Sequence, residues 1–154
     1  MNVRIRPVKE TDCSAIEALL SQITQVHYAI RPDIFRLEYK KEAECWEEND
    51  DAPMYVAVNE QDNVVGCLWC IIMHMRHNSL KIDRDWLCID DICVDEKYRK
   101  QGIGRKLVEF SCKLAKDRGL SRIELNVYND NLNAVDFYKK FGFKTQKRVM
   151  ELNL

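Results

Sequence analysis

Apolar residues recur along the chain with two different periods, and the order of these segments predicts a mixed α/β fold. Alternation at every second position is typical of strands, and recurrence at every third or fourth position is typical of helices. The predicted order is β-α-α-β-β-β-α-β-α-β, so we expect helices packed on a central sheet. The predicted strands cover 3–8, 54–58, 64–75, 86–94, 123–128 and 143–152. Two predicted helices cover 34–49 and 102–118. A further helix is expected to follow a cap at Thr11 or Asp12 and to end near residue 23, and a short one to follow a cap at Asp130 or Asn131 and to end at residue 141.

A basic turn that contains two glycines joins the predicted strand over 86–94 to the helix over 102–118. Gly102 and Gly104 let the main chain approach a ligand closely, because they carry no Cβ atom. The unpaired N–H groups at the start of the helix and the positive end of its dipole favour an anion there. The turn therefore predicts a phosphate or pyrophosphate site. Four basic residues add positive charge to it: Arg99, Lys100, Arg105 and Lys106.

Two common nucleotide-binding motifs do not fit this turn. A Walker A loop requires G-x-x-x-x-G-K-[ST], but Gly104 is followed directly by Arg105 and Lys106. A dinucleotide fingerprint requires a third glycine where Leu107 stands, and it would come early in the chain within a βαβ unit. A nucleotide-binding protein is therefore disfavoured.

Two blocks of residues resemble the GNAT superfamily of N-acetyltransferases. Arg99, Gly102 and Gly104 form R-x-x-G-x-G, which is similar to the acyl-CoA-binding motif of that superfamily. Residues 131–143 read N-x-x-A-x-x-F-Y-x-x-x-G-F, which is similar to its later conserved block. The second half of the chain resembles the diamine acetyltransferases in particular. The resemblance implies a single acetyltransferase domain over 1–154, with a mixed, mostly antiparallel sheet of six to seven strands and about four flanking helices.

The resemblance implies acetyl-CoA as the cofactor and places its parts along the chain. The main chain of Ile92, Cys93 and Val94 would pair with the pantetheine arm as an added strand. The basic turn would hold the pyrophosphate, and Asn131 would bond the cofactor chain, although it could also simply cap the following helix. The residues expected at the cofactor are Ile92, Cys93, Val94, Arg99, Lys100, Gln101, Gly102, Ile103, Gly104, Arg105, Lys106, Asn131, Asn133, Phe137, Tyr138 and Lys140.

Transfer of an acetyl group from a thioester to an amine requires a base for the amine and a proton donor for the leaving thiolate. By resemblance Tyr138 is that donor, and the alternative is a core aromatic residue. For the base, Asp90 and Asp91 stand out, because adjacent carboxylates in an apolar strand are costly unless they are used or paired. Successive strand residues face opposite sides, so one of the two should face the cleft. Diamine acetyltransferases have a glutamate at the position of Asp90, so we favour Asp90. Asp91 would then hold structure or bind the substrate.

The first half of the chain should form the acceptor pocket. The residues expected to line it by resemblance are His27, Tyr28, Arg31 and Phe35. His27 is a second candidate base, with a partly buried polar residue as the alternative. The two aspartates favour a cationic primary amine, such as a polyamine or another small molecule, and a peptide amine stays open. We expect direct attack in a ternary complex, although Cys93 near the thioester leaves a covalent route open. The alternative function is a non-catalytic acyl-CoA-binding or regulatory domain.

Composition and charge argue against several other classes of protein. The formal net charge is -1, which disfavours a dedicated nucleic-acid binder. The longest apolar-rich run, 64–73, is far shorter than the ~20 residues that span a membrane. Charges also interrupt the N-terminal segment, so we expect a cytoplasmic protein with no membrane partner. Many members of the superfamily are dimers, so the resemblance implies a homodimer.

The chain has seven cysteines, an odd number, which predicts free thiols in a cytoplasmic protein. Cys67 and Cys70 form a C-x-x-C, but residues three apart in a strand face opposite sides of a sheet. We therefore expect no metal site at this pair.

Overall fold

Five strands form one mixed sheet in the computed structural model, which describes residues 2–38 and 49–154. In chain order the elements are β1 (Arg4–Pro7), α1 (Cys13–Ile30), β2 (Met54–Val58), β3 (Val64–Met75), β4 (Arg84–Val94), α2 (Ile103–Asp117), β5 (Ile123–Leu125) and α3 (Leu132–Phe141). Strands β1 to β4 pair antiparallel in chain order, and β5 pairs parallel to β4. This confirms the mixed α/β class. Within the described ranges the counts are five strands and three helices, below the six to seven and about four that were expected.

The two long helices cover different apolar clusters of the sheet. α1 buries Ile16 and Leu19 in a cluster that includes Cys67. α2 buries Leu107 in a cluster that includes Cys70. Cys67 and Cys70 therefore lie in different clusters, in agreement with the prediction that they face opposite sides. No described helix is long and apolar enough to cross a membrane.

In the described part of the chain, the cysteines differ from the prediction at Cys13. Cys13 is disulfide-bonded, so the expectation of free thiols throughout is wrong there, because an odd count does not exclude a pair. The free cysteines of the described part are Cys67, Cys70, Cys88, Cys93 and Cys112. Burial raises the pKa of each of these thiols, which keeps them protonated and unreactive at neutral pH.

The sheet opens between β4 and β5. The two strands pair only where Leu87 to Ile89 lie beside Ile123 to Leu125. β4 continues to Val94, and along this stretch no described strand pairs with its outer edge. A gap between diverging strands is where sheets of mixed α/β proteins bind ligands.

The N-terminal half departs from the predicted helices in two places. α1 extends to Ile30, beyond the predicted end at residue 23. The predicted helix over 34–49 does not begin at residue 34, because the N–H groups of Ile34 and Phe35 both bond to the carbonyl of Arg31 and close a turn. Residues 39–48 of that predicted helix lie outside the described residues.

The predicted last strand, 143–152, has no strand conformation in the structure. Its apolar residues between 149 and 152 are 83% to 92% exposed, and the side chain of Gln146 bonds to that of Glu124 at 2.9 Å. Alternation in a sequence indicates a strand, but a strand also needs a main-chain partner. The neighbouring β5 ends at Leu125, three residues short of its predicted end, and offers a short edge.

Candidate active site

The loop between β4 and α2, residues 95–102, ends in a glycine that exposes the start of the helix. Gly102 is the residue that precedes α2, and its φ of 81° is left-handed, a conformation that favours glycine. It brings no side chain to cap the helix, and the first helical bond runs from the N–H of Lys106 to the carbonyl of Gly102. The N–H groups of residues 103 to 105 therefore have no helical carbonyl to bond, which suits them to bind an anion.

The second glycine of this motif, Gly104, lies where the helix meets α3. A Cβ atom at Gly104 would lie 3.6 Å from Phe137 Cζ and 3.8 Å from Val94 Cγ2, which are ordinary contact distances. Packing inside the protein would therefore accept an alanine. The absence of a side chain is better explained by the approach of a ligand to the main chain than by packing.

Arg99 braces the 95–102 loop. Its Nε donates to the carbonyl of Val94 at 3.0 Å, and its Nη2 donates to Gln22 Oε1 at 3.1 Å. Gln22 Oε1 also accepts from the N–H of Glu96 at 3.1 Å, so α1 holds the loop at two points. Sequence reasoning assigned Arg99 to the phosphate and missed Gln22, because the contact joins residues 77 apart along the chain.

The other basic residues of the motif lie around the helix start. Arg105 bonds to Glu109 at 2.9 Å on the exposed face of α2, and its guanidinium lies 5.6 Å from the centre of the Phe141 ring. Lys100 and Gln101 are exposed in the loop, and the φ of Lys100 is 61°. Lys100 therefore adds an exposed positive charge in the loop that precedes the helix, whereas the charge of Arg105 is paired with Glu109.

The outer edge of β4 presents main-chain groups from alternate residues. The N–H of Asp95 bonds to the carbonyl of Val65 on β3. Since main-chain groups alternate in direction along an antiparallel strand, Cys93 also bonds toward β3, whereas Ile92 and Val94 point into the gap beside β5. The Cys93 side chain is buried under α1 and donates to the carbonyl of Leu19 at 3.4 Å. Burial raises the pKa of this thiol to about 11.

The first of the two adjacent aspartates of β4 lies in a β-bulge, and the second does not. Asp91 pairs with Trp69 on β3 and Ile89 pairs with Cys70, so Asp90 is the extra residue of the bulge. The Asp90 side chain is exposed, and partial burial raises its pKa. Asp91 is less exposed, and burial together with the charge of Asp90 raises its pKa to about 6. Asp91 is thus the less exposed of the two carboxyls, and its pKa of about 6 lies close to neutral pH.

Tyr138 on α3 lies close enough to Asp91 for their charges to interact. Burial, and then the charge of Asp91, raise the pKa of Tyr138 to about 12. Its ring lies between those of Phe137 and Phe143, with centres 5.2 Å and 5.6 Å away. Asn131 caps α3, because its side chain accepts from the N–H of Ala134 at 3.3 Å. The predicted cofactor residues Asn133 and Lys140 are exposed on the same helix.

Two of the four predicted acceptor residues belong to an aromatic cluster. The ring of His27 lies 4.7 Å from that of Phe35 and 6.1 Å from that of Tyr128, and the last two rings are 5.5 Å apart. Burial lowers the pKa of His27, so its imidazole is neutral at pH 7. Tyr128 follows β5 at the open end of the sheet, and sequence reasoning missed it because nothing local links it to α1.

The other two predicted acceptor residues differ in their surroundings. Arg31 bonds to Asp33 at 2.6 Å and to Glu151 at 2.8 Å, and these carboxylates raise its pKa. Its charge is therefore already neutralised. Tyr28 is half-buried on α1.

A separate surface cavity of about 470 Å³ lies at the other end of β3 and β4. His74, Asp85 and Arg118 are among its lining residues, and Arg118 follows the C-terminal end of α2. The cavity is therefore remote from the N-terminal end of α2 and from Asp91.

Comparison with known proteins identifies a family. Residues 18–143 match the model of the family described as "Acetyltransferase (GNAT) family". The peptidyl-lysine N-acetyltransferase YjaB of Escherichia coli (strain K12) is 34% identical over 118 residues, which cover 75% of this chain and 67% of that protein. The thialysine N-epsilon-acetyltransferase of Sus scrofa is 43% identical over 54 residues, which cover 35% of this chain and 32% of that protein.

A solved structure matches over nearly the whole chain. It is that of a tetramutant of the BH1408 protein from Bacillus halodurans, which is 28% identical with a TM-score of 0.87. The match covers 98% of this chain and 99% of that one.

Proposed function

The chain is an N-acetyltransferase of the GNAT family, and on this premise we propose that it transfers the acetyl group of acetyl-CoA to a primary amine by direct attack in a ternary complex. One arrangement carries the proposal. The open edge of β4 runs from Asp91 to Val94, and the loop that follows leads to the uncapped start of α2. The Asp91 carboxylate, the unpaired edge of β4 and the anion site at the start of α2 therefore follow one another along the chain.

The residues present suit acetyl-CoA as the second substrate. The N–H groups of residues 103 to 105 would bind its pyrophosphate, with Gly102 and Gly104 leaving room. The outward main-chain groups of Ile92 and Val94 would pair with the pantetheine arm. The carbonyl of Val94 already accepts a hydrogen bond from Arg99. We therefore assign to the pantetheine arm the N–H of Val94 together with the N–H and the carbonyl of Ile92.

We assign the base to Asp91. An alkyl ammonium has a pKa of ~10 and must lose a proton before it can attack the thioester. A carboxyl with a pKa of about 6 is ionised at neutral pH and can take that proton, directly or through a water. The sequence favoured Asp90, but the greater burial of Asp91 and its interaction with Tyr138 support the reassignment.

Tyr138 would stabilise the leaving thiolate by a hydrogen bond. The phenol has a pKa of about 12, whereas a thiol has a pKa of ~8.5, so complete proton transfer from Tyr138 to the thiolate would be uphill. Attack leaves a positively charged nitrogen that must lose a second proton. We propose that this proton ends on the sulfur while Tyr138 donates a hydrogen bond. One of the two outward N–H groups, that of Ile92 or that of Val94, would bond the thioester carbonyl at the end of the arm and polarise it.

A covalent route through Cys93 finds little support in the site. Its thiol lies under α1, donates to the carbonyl of Leu19 and stays protonated because burial raises its pKa to about 11. The nucleophile in such a route is the thiolate. Direct attack by the amine is the route that these contacts favour.

The acceptor we propose is a primary amine at the end of a flexible chain, in a small molecule or a peptide. The names of the relatives, a peptidyl-lysine and a thialysine N-acetyltransferase, both describe such an amine. A neutral His27 and the rings of Phe35 and Tyr128 would hold an apolar stem, and the two aspartates would attract the cationic end. A polyamine meets the same description.

A homodimer is part of the proposal and is supported by the exposed apolar residues between 149 and 152. Light scattering on the purified protein would measure the mass directly. The cytoplasmic location and the absence of nucleic-acid and membrane partners stay predictions from the sequence.

Binding and turnover test the proposal separately. Saturating acetyl-CoA, at about 100 times its Kd, should stabilise the protein by about 2.7 kcal/mol and raise Tm by about 5–10 °C. CoA release should then be measured with lysine, lysine peptides and polyamines.

Substitution of the two aspartates tests the assignment of the base. In Asp91→Asn the activity should fall at least a hundredfold, and Asp90→Asn, the matched control, should keep most of its activity. Stabilisation by ATP but not by CoA would contradict the proposal. CoA binding without turnover of any amine would favour the regulatory alternative.

A further inference from the structure

One buried hydrogen-bond donor in the candidate active site has no partner. In the described part of the chain, two buried side-chain nitrogens make no hydrogen bond, Trp69 Nε1 and Arg84 Nε. Arg84 stacks on Trp86 at 4.8 Å, near the start of β4 and far from the site. Trp69 lies within the site. An indole N–H can only donate, and a buried donor that lacks an acceptor destabilises the folded state, so it calls for an explanation.

Trp69 is the direct cross-strand neighbour of Asp91. The register of β3 and β4 pairs these two residues, and the bulge begins immediately after the pair. Residues directly opposite each other on antiparallel strands share a face, with Cβ atoms about 4.5–5.5 Å apart. The indole and the carboxyl are therefore held side by side by the ladder itself.

Among the described residues no hydrogen-bond donor contributes to the raised pKa of Asp91, whose causes are burial and the charge of Asp90. Within that part of the chain, a carboxylate without a donor thus stands beside an indole without an acceptor. A water molecule needs two or more polar partners to be held in a buried site. The indole N–H, the carboxylate and an incoming amine would supply three.

We propose that Trp69 is a positioning residue, whose indole N–H holds a water molecule against the Asp91 carboxylate in the path of the acceptor amine. The inference rests on the proposed function. The amine N–H bond breaks as its proton passes to the water, and a proton of the water passes to Asp91, so no other reactant is needed.

Among residues 2–38 and 49–154, the titratable groups that interact with Asp91 are Asp90 on its own strand, Tyr138 on α3, and the thiols of Cys67 and Cys93. The tyrosine and both thiols have raised pKa values and stay neutral between pH 5 and 8. A change in the titration of Asp91 after substitution of Trp69 would therefore report the lost donor, provided that Asp90 is unchanged.

Trp69→Phe keeps the aromatic ring and removes the N–H group. The matched control is Trp86→Phe, on the same pair of strands but opposite Met73. The water that Trp69 holds donates to the charged form of Asp91, and such a donor lowers a carboxyl pKa. Loss of this water in Trp69→Phe should therefore raise the pKa of Asp91 by about one unit, which carbon-13 NMR of the carboxyl measures. At pH 6 the ionised fraction, and with it kcat, should fall about fivefold, with the KM for acetyl-CoA unchanged. The control should show neither change.

A measurement on the unmodified protein keeps the test valid if Trp69→Phe does not fold. The indole N–H resonance of Trp69 should shift with the Asp91 midpoint and lose that shift in Asp91→Asn. The inference would be overturned if the indole N–H resonance of Trp69 stayed constant through the titration. It would also be overturned if the pKa of Asp91 were equal in Trp69→Phe and in the unmodified protein. These titrations need no turnover, so an inactive enzyme that shows both shifts would refute the proposed function and leave the pairing of Trp69 with Asp91 intact.

Discussion

Replacing Gly102 by alanine separates the role of the 95–102 loop in folding from its role in binding. The φ of Gly102 is 81°, and an L-residue in the left-handed region costs about 1–2 kcal/mol. A Cβ atom there would meet nothing within 4 Å, so steric overlap adds no further cost. For a chain of this size we expect Tm to fall by about 2–8 °C.

The effect on binding should be larger than this strain. A Cβ atom at Gly102 would occupy open space beside the helix start, where we assign the pyrophosphate, so we expect a methyl group there to hinder binding. The loss of one hydrogen bond to a charged group is worth about 1.5–3 kcal/mol, which corresponds to about a 10- to 150-fold increase in the Kd for CoA. Isothermal titration calorimetry with CoA measures this change directly.

Gly119→Ala is the matched control. Gly119 follows the other end of α2, its φ is 70°, and a Cβ atom there also meets nothing within 4 Å. The two variants should therefore lose similar stability, while only Gly102→Ala loses affinity. An unchanged Kd in Gly102→Ala would refute the assignment of the pyrophosphate to this loop. An equal loss of affinity in both variants would show that the change follows stability and not contact.

Three further substitutions test single contacts of the site. Tyr138→Phe should lower kcat about 10- to 100-fold with the Kd for CoA unchanged, because the ring still packs between Phe137 and Phe143, and stopped-flow binding with steady-state rates would separate the two. Gln22→Ala should raise the KM for acetyl-CoA several-fold at constant kcat, since the 95–102 loop loses its acceptor on α1, and an unchanged KM would contradict this bracing role. Cys93→Ala should retain kcat within about twofold, and a loss of more than a hundredfold in the CoA-release assay would revive the covalent route.

The parts of the site that could be predicted from the sequence are those built by local rules. Gly102 has a left-handed φ, and Asn131 caps α3, and both follow from residue type and its neighbours. The buried stripe of α2 follows from helical spacing. These features depend on residues within about one turn of each other, so a short pattern specifies them.

The parts that were missed depend on pairing between distant segments. The bulge at Asp90 exists only in the register of β4 against β3, and the greater burial of Asp91, on which its proposed role as the base rests, is not visible in a short sequence pattern. Gln22 and Tyr128 join the site through contacts with segments far along the chain. The predicted strand over 143–152 failed for the same reason, because alternation does not supply a partner.

Two aspartates of this chain should respond to pH with opposite signs, which distinguishes a working carboxyl from a structural one. Asp12 is 5% exposed and accepts from Arg6 at 2.7 Å and 3.0 Å, and these bonds lower its pKa. Its contribution to stability is present above its unfolded pKa and is lost as pH falls through the lower folded value. The folded pKa of Asp91, about 6, lies above its ordinary value of 3.8, so the folded state binds the proton more tightly.

Stability therefore falls as pH rises from about 4 to 6 through ionisation of Asp91, and at pH 7 the ionised carboxylate destabilises the fold. Asp91→Asn should then be more stable than the unmodified protein at pH 7, by about 1 to 3 kcal/mol, and should lose this advantage below pH 4. Asp12→Asn should be less stable at pH 7. Urea unfolding at both pH values measures each difference. If Asp91→Asn were less stable than the unmodified protein at pH 7, the ionised carboxylate would be stabilised by structural contacts. The idea that Asp91 is a base whose charge lowers the stability of the fold would then be wrong.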